Sequence, residues 1–312
     1  MHRLLVATGN NDRYLEVLRA AALPDLELAA AGNSRQARDA AAECDIFFGE
    51  PGRIAPLLPA ARRLEWVQSS FAGVEALCAP GLRRDYVLTA VKGVFGPLMS
   101  AYVFAYLLAL ERNLFEARAN QAERAWRDLP YRRLPELTLG ICGLGDIGRH
   151  IAATAAHFGL RVVGCKRTPG AVPHVDRVFS GDQFQTFLSL PDYLVLVLPG
   201  TAATDGLIDS AALGRMKPSA VLINVGRGNA VKESDLAAAL QGHRIRAAVL
   251  DVFESEPLPR ESPLWGLPNC FITPHNAGRS FAEDAVPIFC DNYRRWREGR
   301  PLRHTVDFQR GY

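Results

Sequence analysis

Three glycines at a fixed spacing are the residues that indicate chemistry most directly. An apolar run from Thr138 to Cys142 leads into Gly143-Leu144-Gly145-Asp146-Ile147-Gly148, and a helical pattern follows. In such a strand-turn-helix unit the three glycines allow a tight turn, close approach of a pyrophosphate, and close helix packing. The helix N-terminus then holds the phosphates. The pattern predicts a dinucleotide site formed by these six residues; the alternative is a glycine turn kept for packing alone.

The end of the next strand indicates which dinucleotide binds. The apolar run from Leu160 to Cys165 ends in Lys166, Arg167 and Thr168. An NAD site normally places Asp or Glu about 20 residues past the glycines, whereas Arg accommodates a 2′-phosphate. Two cations attract that phosphate through charge-assisted hydrogen bonds. We therefore expect NADP(H) to be preferred, with NAD(H) possible, unless this segment is only a solvated basic turn.

Three more polar residues follow apolar strands nearer the C-terminus. Arg227 follows the run from Val221 to Val225, Glu256 follows Leu-Asp-Val-Phe253, and His275 follows Ile-Thr-Pro274. Ligands of open parallel sheets lie beyond the carboxyl ends of the strands. Taken singly, these residues are compatible with a surface turn, a loop cap and a backbone partner. Their occurrence together, after the glycines, indicates one site.

Alternating strands and helices must position these residues. The pattern predicts an α/β protein with two flavodoxin- or Rossmann-like domains, doubly wound parallel sheets and a cleft between the domains. We place a substrate-binding domain at residues 1–99 plus 284–312 and a dinucleotide-binding domain at 100–283. A long helix is expected from about Ser100 to Arg118. A last helix near Phe281 to Glu298 is expected to cross back to the first domain.

Composition excludes several classes of protein. Of the 312 residues, 36 are basic and 33 acidic, and a net charge of +3 argues against nucleic acid or an anionic membrane as partner. The apolar run from Ala101 to Leu110 is half a membrane span and predicts a buried helix. The N-terminus is interpreted as a strand, not a signal peptide. Six cysteines without metal-ligand spacing favour reduced thiols, a cytoplasmic location and no metal.

These segments resemble the D-isomer-specific 2-hydroxyacid dehydrogenase family. The shared features are Asn224-Val-Gly-Arg227-Gly, Leu-Asp-Val-Phe…Glu256-Pro-Leu-Pro and Thr-Pro-His275, with Arg, Glu and His separated by 29 and 19 residues. The resemblance is strongest from Leu137 to Gly278. Within the family it favours the glyoxylate/hydroxypyruvate reductase branch, through the segment from Glu256 to Trp265 and the terminal Val306-Asp…Arg-Gly-Tyr312. The segment Gln68 to Glu75 departs from the common Gly-x-Gly-x-Asp form, so the size of the substrate stays open.

The resemblance implies roles for individual residues. Arg227, Glu256 and His275 take the catalytic positions, and Asp251 is expected to contact the nicotinamide amide. The other residues implied at the cofactor are Leu198, Pro199, Thr204, Val225, Gly226 and Gly278. Those implied at the substrate are Phe71, Ala72, Gly73 and Arg227. His suits proton transfer because its pKa of about 6.5 lies near working pH, a neighbouring carboxylate favours the imidazolium, and Arg forks onto a substrate carboxylate.

The function predicted from these residues is reduction of a small 2-oxo acid, such as glyoxylate or hydroxypyruvate, to the D-2-hydroxy acid by NADPH. One alternative is a broader reductase for larger 2-oxo acids such as phenylpyruvate. Another is a scaffold that binds the dinucleotide as a signal. The apolar helix after Ser100 and the following Trp126 predict a two-fold homodimer, unless Trp126 packs on its own domain.

Overall fold

The computed structural model describes residues 1–30, 34–168 and 170–311, so Tyr312 of the predicted terminal motif lies outside the described residues. The chain separates into two compact units, one formed by residues 1–94 and the chain from 280 onward, the other by residues 95–279. Each unit contains a parallel sheet with helices between its strands, which confirms the predicted α/β fold class. Our predicted boundaries lie at 99/100 and 283/284, and the assignment of substrate and dinucleotide to the two units stays a prediction.

The first unit has a five-stranded parallel sheet in the order β2-β1-β3-β4-β5. The strands are β1 (His2–Ala7), β2 (Leu26–Ala30), β3 (Ile46–Gly49), β4 (Trp66–Ser69) and β5 (Val87–Thr89). The helices are α1 (Asn11–Ala20), α2 (Ser34–Glu43), α3 (Pro51–Ile54), α4 (Glu75–Cys78) and, from the C-terminal segment, α11 (Ala282–Arg297). This order is that of flavodoxin-like sheets.

Aromatic packing holds α11 on this sheet. The Phe289 ring stacks on Phe48 of β3 and on Trp66 of β4, with ring centroids 5.0 and 5.1 Å apart. All three side chains are fully buried. The C-terminal helix therefore supplies core side chains to a sheet built from the N-terminal part of the chain.

The second unit has a seven-stranded parallel sheet in the order β12-β11-β10-β9-β6-β7-β8. Its strands are β6 (Thr138–Cys142), β7 (Arg161–Cys165), β8 (Arg177–Phe179), β9 (Tyr193–Leu196), β10 (Val221–Asn224), β11 (Ala247–Leu250) and β12 (Cys270–Ile272). Its helices are α5 (Phe95–Glu111), α6 (Leu114–Ala122), α7 (Asp146–His157), α8 (Phe184–Leu188), α9 (Ser210–Arg215) and α10 (Glu233–Gln241). The strand order reverses between β6 and β9, and such a switch point is where open parallel sheets bind ligands.

The helix predicted from about Ser100 to Arg118 is wrong in extent. Helix α5 begins at Phe95, because Pro97 falls in its first turn, where a missing backbone N–H costs no hydrogen bond. It ends at Glu111, because Asn113 takes the left-handed conformation with φ of 51° and separates α5 from α6. Among the described residues, no helix is long and apolar enough to cross a membrane.

Candidate active site

The glycine loop has the shape that a dinucleotide requires. Gly143 has φ of 102°, which favours glycine, and a β-carbon at Gly148 would lie 2.0 Å from the carbonyl oxygen of Gly143. A β-carbon at Gly145 would meet no described atom within 4 Å. Gly145 occupies the N-cap position of α7, so no cap side chain occupies the first-turn N–H groups. The loop therefore combines a tight turn, an open approach and a helix N-terminus, and its residues fit a pyrophosphate.

The other residues of this loop divide between packing and exposure. The Leu144 side chain is buried and lies against Gly164 of β7. Ile147 is half-buried and packs on the core between α7 and the sheet, whereas Asp146 is exposed in the first turn of α7.

The predicted basic segment lies beside the glycine loop. Lys166, Arg167 and Thr168 directly follow β7, and the Gly143 amide donates to the Cys165 carbonyl at 2.9 Å. Lys166 is half-buried, while Arg167 and Thr168 are exposed. Both cations therefore lie at the carboxyl edge where the second strand of a Rossmann unit meets an adenosine ribose.

Two more of the predicted cofactor segments lie at neighbouring strand ends. Leu198 and Pro199 follow β9, and the Thr204 hydroxyl donates to the Pro199 carbonyl at 2.7 Å, which closes that turn. Val225 is buried after β10, and a β-carbon at Gly226 would lie 2.7 Å from the Leu198 nitrogen. The loops after β9 and β10 are therefore in direct contact beside the glycine loop.

The site geometry centres on His275 and Glu256. His275 Nδ1 lies 2.7 Å from Glu256 Oε2, and the Phe253 amide donates to Glu256 Oε1 at 3.0 Å. The hydrogen bond to Glu256 raises the pKa of His275 above 6.5. Burial alone would raise the pKa of Glu256, but the hydrogen bonds from His275 and the Phe253 amide lower it. The His275 side chain is 50% exposed, so it can reach a ligand.

Arg227 lies on the loop beside this pair. The Asn224 side chain holds the loop by donating to the Arg227 carbonyl and accepting from the Gly226 amide, at 3.0 and 3.1 Å. A β-carbon at Gly228 would lie 1.9 Å from the Phe253 carbonyl, so this loop packs directly against the loop that carries Glu256. The charge of Arg227 lowers the pKa of His275 and that of Glu256, which places its guanidinium within their electrostatic reach.

Asp251 has a role that sequence reasoning did not find. Its carboxylate is 1% exposed and accepts from the Thr273 hydroxyl at 2.6 Å and from the amides of Asn276 and Ala277, each at 2.9 Å. These bonds hold the loop that carries His275. The predicted contact of Asp251 with the nicotinamide amide stays a prediction. Gly278 follows this loop, and a β-carbon there would lie 2.8 Å from Met99 Cε.

The predicted substrate segment belongs to the first unit. The Ser69 hydroxyl bonds both the amide and the carbonyl of Phe71, at 3.0 and 2.9 Å, and the Val91 amide donates to that carbonyl at 3.3 Å. Phe71 and Ala72 are exposed and Gly73 is half-buried. The turn after β4 is therefore fixed by its own backbone contacts while the Phe71 ring faces solvent.

Sequence comparison with known proteins agrees with the family that the motifs indicate. A sequence model described as D-isomer specific 2-hydroxyacid dehydrogenase, NAD binding domain, matches residues 104–277. Glyoxylate/hydroxypyruvate reductase A of Salmonella heidelberg (strain SL476) is 32% identical over 260 residues, which are 81% of this chain and 83% of that protein.

Solved structures resemble the chain over its length. A D-isomer specific 2-hydroxyacid dehydrogenase family protein from Aeromonas salmonicida subsp. salmonicida A449 is 45% identical, with a TM-score of 0.94 over 98% of this chain and 99% of that one. An NADPH-dependent glyoxylate/hydroxypyruvate reductase from Sinorhizobium meliloti, in complex with NADP and sulfate, is 29% identical, with a TM-score of 0.91 over 100% of both chains.

The parallel sheets and the glycine loop define a Rossmann-type oxidoreductase. The chain belongs to the D-isomer specific 2-hydroxyacid dehydrogenase family, and within it resembles the glyoxylate/hydroxypyruvate reductase branch. The predictions of the family and of an NAD(P)-dependent enzyme of this class are confirmed.

Proposed function

We propose that this protein reduces glyoxylate, hydroxypyruvate or a similarly small 2-oxo acid to the D-2-hydroxy acid, with NADPH as reductant and His275 as general acid. The observation that carries the proposal is the 2.7 Å contact between His275 Nδ1 and Glu256 Oε2 beside Arg227. A protonatable ring, a carboxylate that favours its charged form and a guanidinium are the groups that reduction of a 2-oxo acid requires.

Each group has one task in the proposed reaction. When bound, NADPH would supply the hydride for C2 of the substrate. Because Glu256 accepts the proton of Nδ1, the Nε2 of the imidazolium is the atom that donates a proton to the forming alkoxide. Arg227 forks onto the substrate carboxylate and polarises the carbonyl. The binding of substrate by the amides of Ala72 and Gly73 stays a prediction from the sequence. His275 returns to the imidazolium by taking a proton from water.

The cofactor assignment rests on the residues after β7. Lys166 and Arg167 offer two cations and Thr168 a hydroxyl, where an NAD enzyme would offer a carboxylate. The Sinorhizobium reductase, solved with NADP, supports the same choice. We propose NADPH as the preferred cofactor of this chain, with NADH as a poorer one, and the glycine loop, the turns after β9 and β10, Asp251 and Gly278 as its surroundings.

The test is NADPH oxidation followed by absorbance with glyoxylate, hydroxypyruvate and phenylpyruvate as substrates. We expect the two small acids to give the higher kcat/KM, and His275→Gln to lower kcat by about 10² to 10⁴ while NADPH still binds. Arg227→Lys should raise KM, because an ammonium cannot fork. Preference for phenylpyruvate would favour the broader reductase, and NADPH binding without turnover of any acid would favour a binding scaffold.

We also propose that the protein is a two-fold homodimer. Trp126 is fully exposed, so within this chain it does not pack on its own domain, and Leu114, Phe115 and Tyr131 of the same segment are also exposed. Light scattering should give twice the 34.2 kDa chain mass, and Trp126→Glu should lower it. A wild-type mass near one chain at micromolar concentration would contradict the dimer. The cytoplasmic location also stays a prediction.

A further inference from the structure

A chain of hydrogen bonds connects helix α5 to the loop that carries His275. The Tyr102 hydroxyl lies 2.6 Å from Thr273 Oγ1, and Thr273 Oγ1 lies 2.6 Å from Asp251 Oδ1. A carboxylate can only accept, so the Thr273 hydroxyl donates to Asp251 and therefore accepts from Tyr102. The direction of both bonds is fixed by this chemistry.

The loop beyond Thr273 depends on the same carboxylate. Asp251 accepts from the amides of Asn276 and Ala277, and its carbonyl accepts from the His275 amide at 2.8 Å. His275 itself has φ of 49°, a left-handed conformation that a residue with a β-carbon keeps only where its surroundings hold it. The position of the imidazole therefore depends on how firmly Asp251 and Thr273 hold the loop.

Helix α5 is also connected to the glycine loop. The Ser100 hydroxyl lies 2.7 Å from His150 Nδ1 of α7, and α5 and α7 share one apolar core. Tyr102 therefore ties the His275 loop to α5, which in turn packs against α7, the helix that follows the glycine loop. Proton transfer and hydride transfer need fixed positions relative to each other, and this contact links the elements that carry them.

We propose that Tyr102 and Thr273 are positioning residues that hold the His275 ring at hydrogen-bond distance from Glu256. This proposal rests on the proposed role of His275 as general acid. Neither residue touches a reacting atom in it; both act through Asp251 and the backbone of residues 273–277.

The pKa of His275 depends on where its ring lies relative to Glu256, so a measured pKa reports on the position of the ring. The hydrogen bond to Glu256 raises the pKa of His275 and burial lowers it. The charges of Glu256 and Asp251 raise this pKa, and the charge of Arg227 lowers it. The hydrogen bond, the largest of these influences, needs close contact. A loosened loop therefore lowers the pKa of His275 toward 6.5, whereas a general loss of stability in a folded sample does not.

The experiment compares Thr273→Val and Tyr102→Phe with matched controls. Thr154→Val removes a hydroxyl from α7 that donates to the His150 carbonyl at 3.0 Å. Tyr86→Phe removes a buried hydroxyl that has no hydrogen-bond partner among the described residues. For each variant we would measure kcat and KM with NADPH and glyoxylate, the pH profile of kcat, the Kd of NADPH, and the NMR titration of His275 in cofactor-free protein.

We expect Thr273→Val to lower kcat about tenfold or more and Tyr102→Phe to lower it a few-fold, with the Kd of NADPH within about twofold. The alkaline limb of the pH profile and the NMR pKa of His275 should both move to lower pH. Thr273→Ser, which keeps the hydroxyl, should restore most of kcat and the titration. The two controls should match the wild type in every measurement.

The proposal is overturned if Thr273→Val leaves the pKa of His275 unchanged in the NMR titration. If Thr273→Val does not fold, the same result with Tyr102→Phe overturns it. It is also overturned if the controls shift that titration equally. Failure of the proposed function would look different, because wild-type protein would then reduce no acid in the panel while the NMR comparison still decides the role of Tyr102 and Thr273.

Discussion

His275 Nδ1 and Glu256 Oε2 are 2.7 Å apart, although the two residues lie on loops after different strands of the seven-stranded sheet. The hydrogen bond raises the pKa of the ring and helps lower that of the carboxyl. Each partner thus stabilises the charged form of the other, and Nε2 stays available for proton exchange with a ligand.

Glu256→Gln should shift the pH dependence of reduction. Reduction needs the imidazolium, so its rate falls as pH rises through the pKa of His275, which lies above 6.5 in the folded protein. Without the carboxylate that pKa falls, and the alkaline limb of kcat moves to lower pH. Glu254→Gln is the control, because Glu254 bonds the Glu233 amide instead. If the alkaline limb of the kcat profile does not move in Glu256→Gln, the assignment of His275 as general acid is contradicted.

Lys166→Asp combined with Arg167→Leu should reverse the cofactor preference. A charge-assisted hydrogen bond to the 2′-phosphate contributes roughly 1.5 to 3 kcal/mol, so wild-type kcat/KM for NADPH should exceed that for NADH at least tenfold. The new carboxylate repels the phosphate and accepts from free ribose hydroxyls. Added salt should reduce the wild-type ratio of kcat/KM for NADPH to kcat/KM for NADH. Equal use of both cofactors by the wild type would mean that these cations are only a solvated turn.

Gly228→Ala should abolish activity and destabilise the second unit. The added methyl would lie 1.9 Å from the Phe253 carbonyl, so the loops of Arg227 and Glu256 would have to separate. Backbone on both sides leaves little room to adjust, and we expect a loss of about 1 to 3 kcal/mol. Thermal denaturation and kcat would measure it. Gly214→Ala, in α9, has no described atom within 4 Å of the new carbon and should keep activity and stability; an active Gly228→Ala would refute the close packing of these loops.

Glu111→Gln should lower stability without touching the site. Glu111 is 2% exposed and accepts from Arg132, Arg246 and the Tyr193 hydroxyl. Removing one charge of a buried ionic cluster costs about 3 to 5 kcal/mol. Although burial raises the pKa of Glu111, its hydrogen bonds lower it overall, so its stabilisation is present above its unfolded pKa and lost as pH falls through the folded one.

The measurement for Glu111 is urea unfolding at neutral and at acidic pH. The difference in free energy of unfolding between the wild type and Glu111→Gln should be smaller at acidic pH than at neutral pH. Glu123→Gln breaks an exposed pair with Arg127 and should change stability by less than about 1 kcal/mol. A Glu111 variant as stable as the wild type at neutral pH would show that the cluster contributes nothing net.

Features whose signal is local in sequence were predictable. The glycine spacing, the cations after β7 and the three polar strand ends are read directly from neighbouring residues. The hydrogen bond between Tyr102 and Thr273 was not predictable, because it joins residues 171 positions apart and neither residue has a local sequence signal. Strands β2 and β8 have weak local signals, because β2 is only partly buried and β8 has three residues, and both lie at sheet edges. The break at Asn113 was missed because no proline or glycine marks it.

The segment after α11 has a consequence for how this protein behaves in concentrated solution. Residues His304 and Val306 bond Ala90 and Leu88 in antiparallel fashion, at 3.0 and 2.8 Å, alongside the outer strand β5. An open strand edge is a template on which another chain can add, and here the protein's own backbone occupies it. Proteolytic removal of the chain from residue 304 onward would expose that template and favour self-association into aggregates.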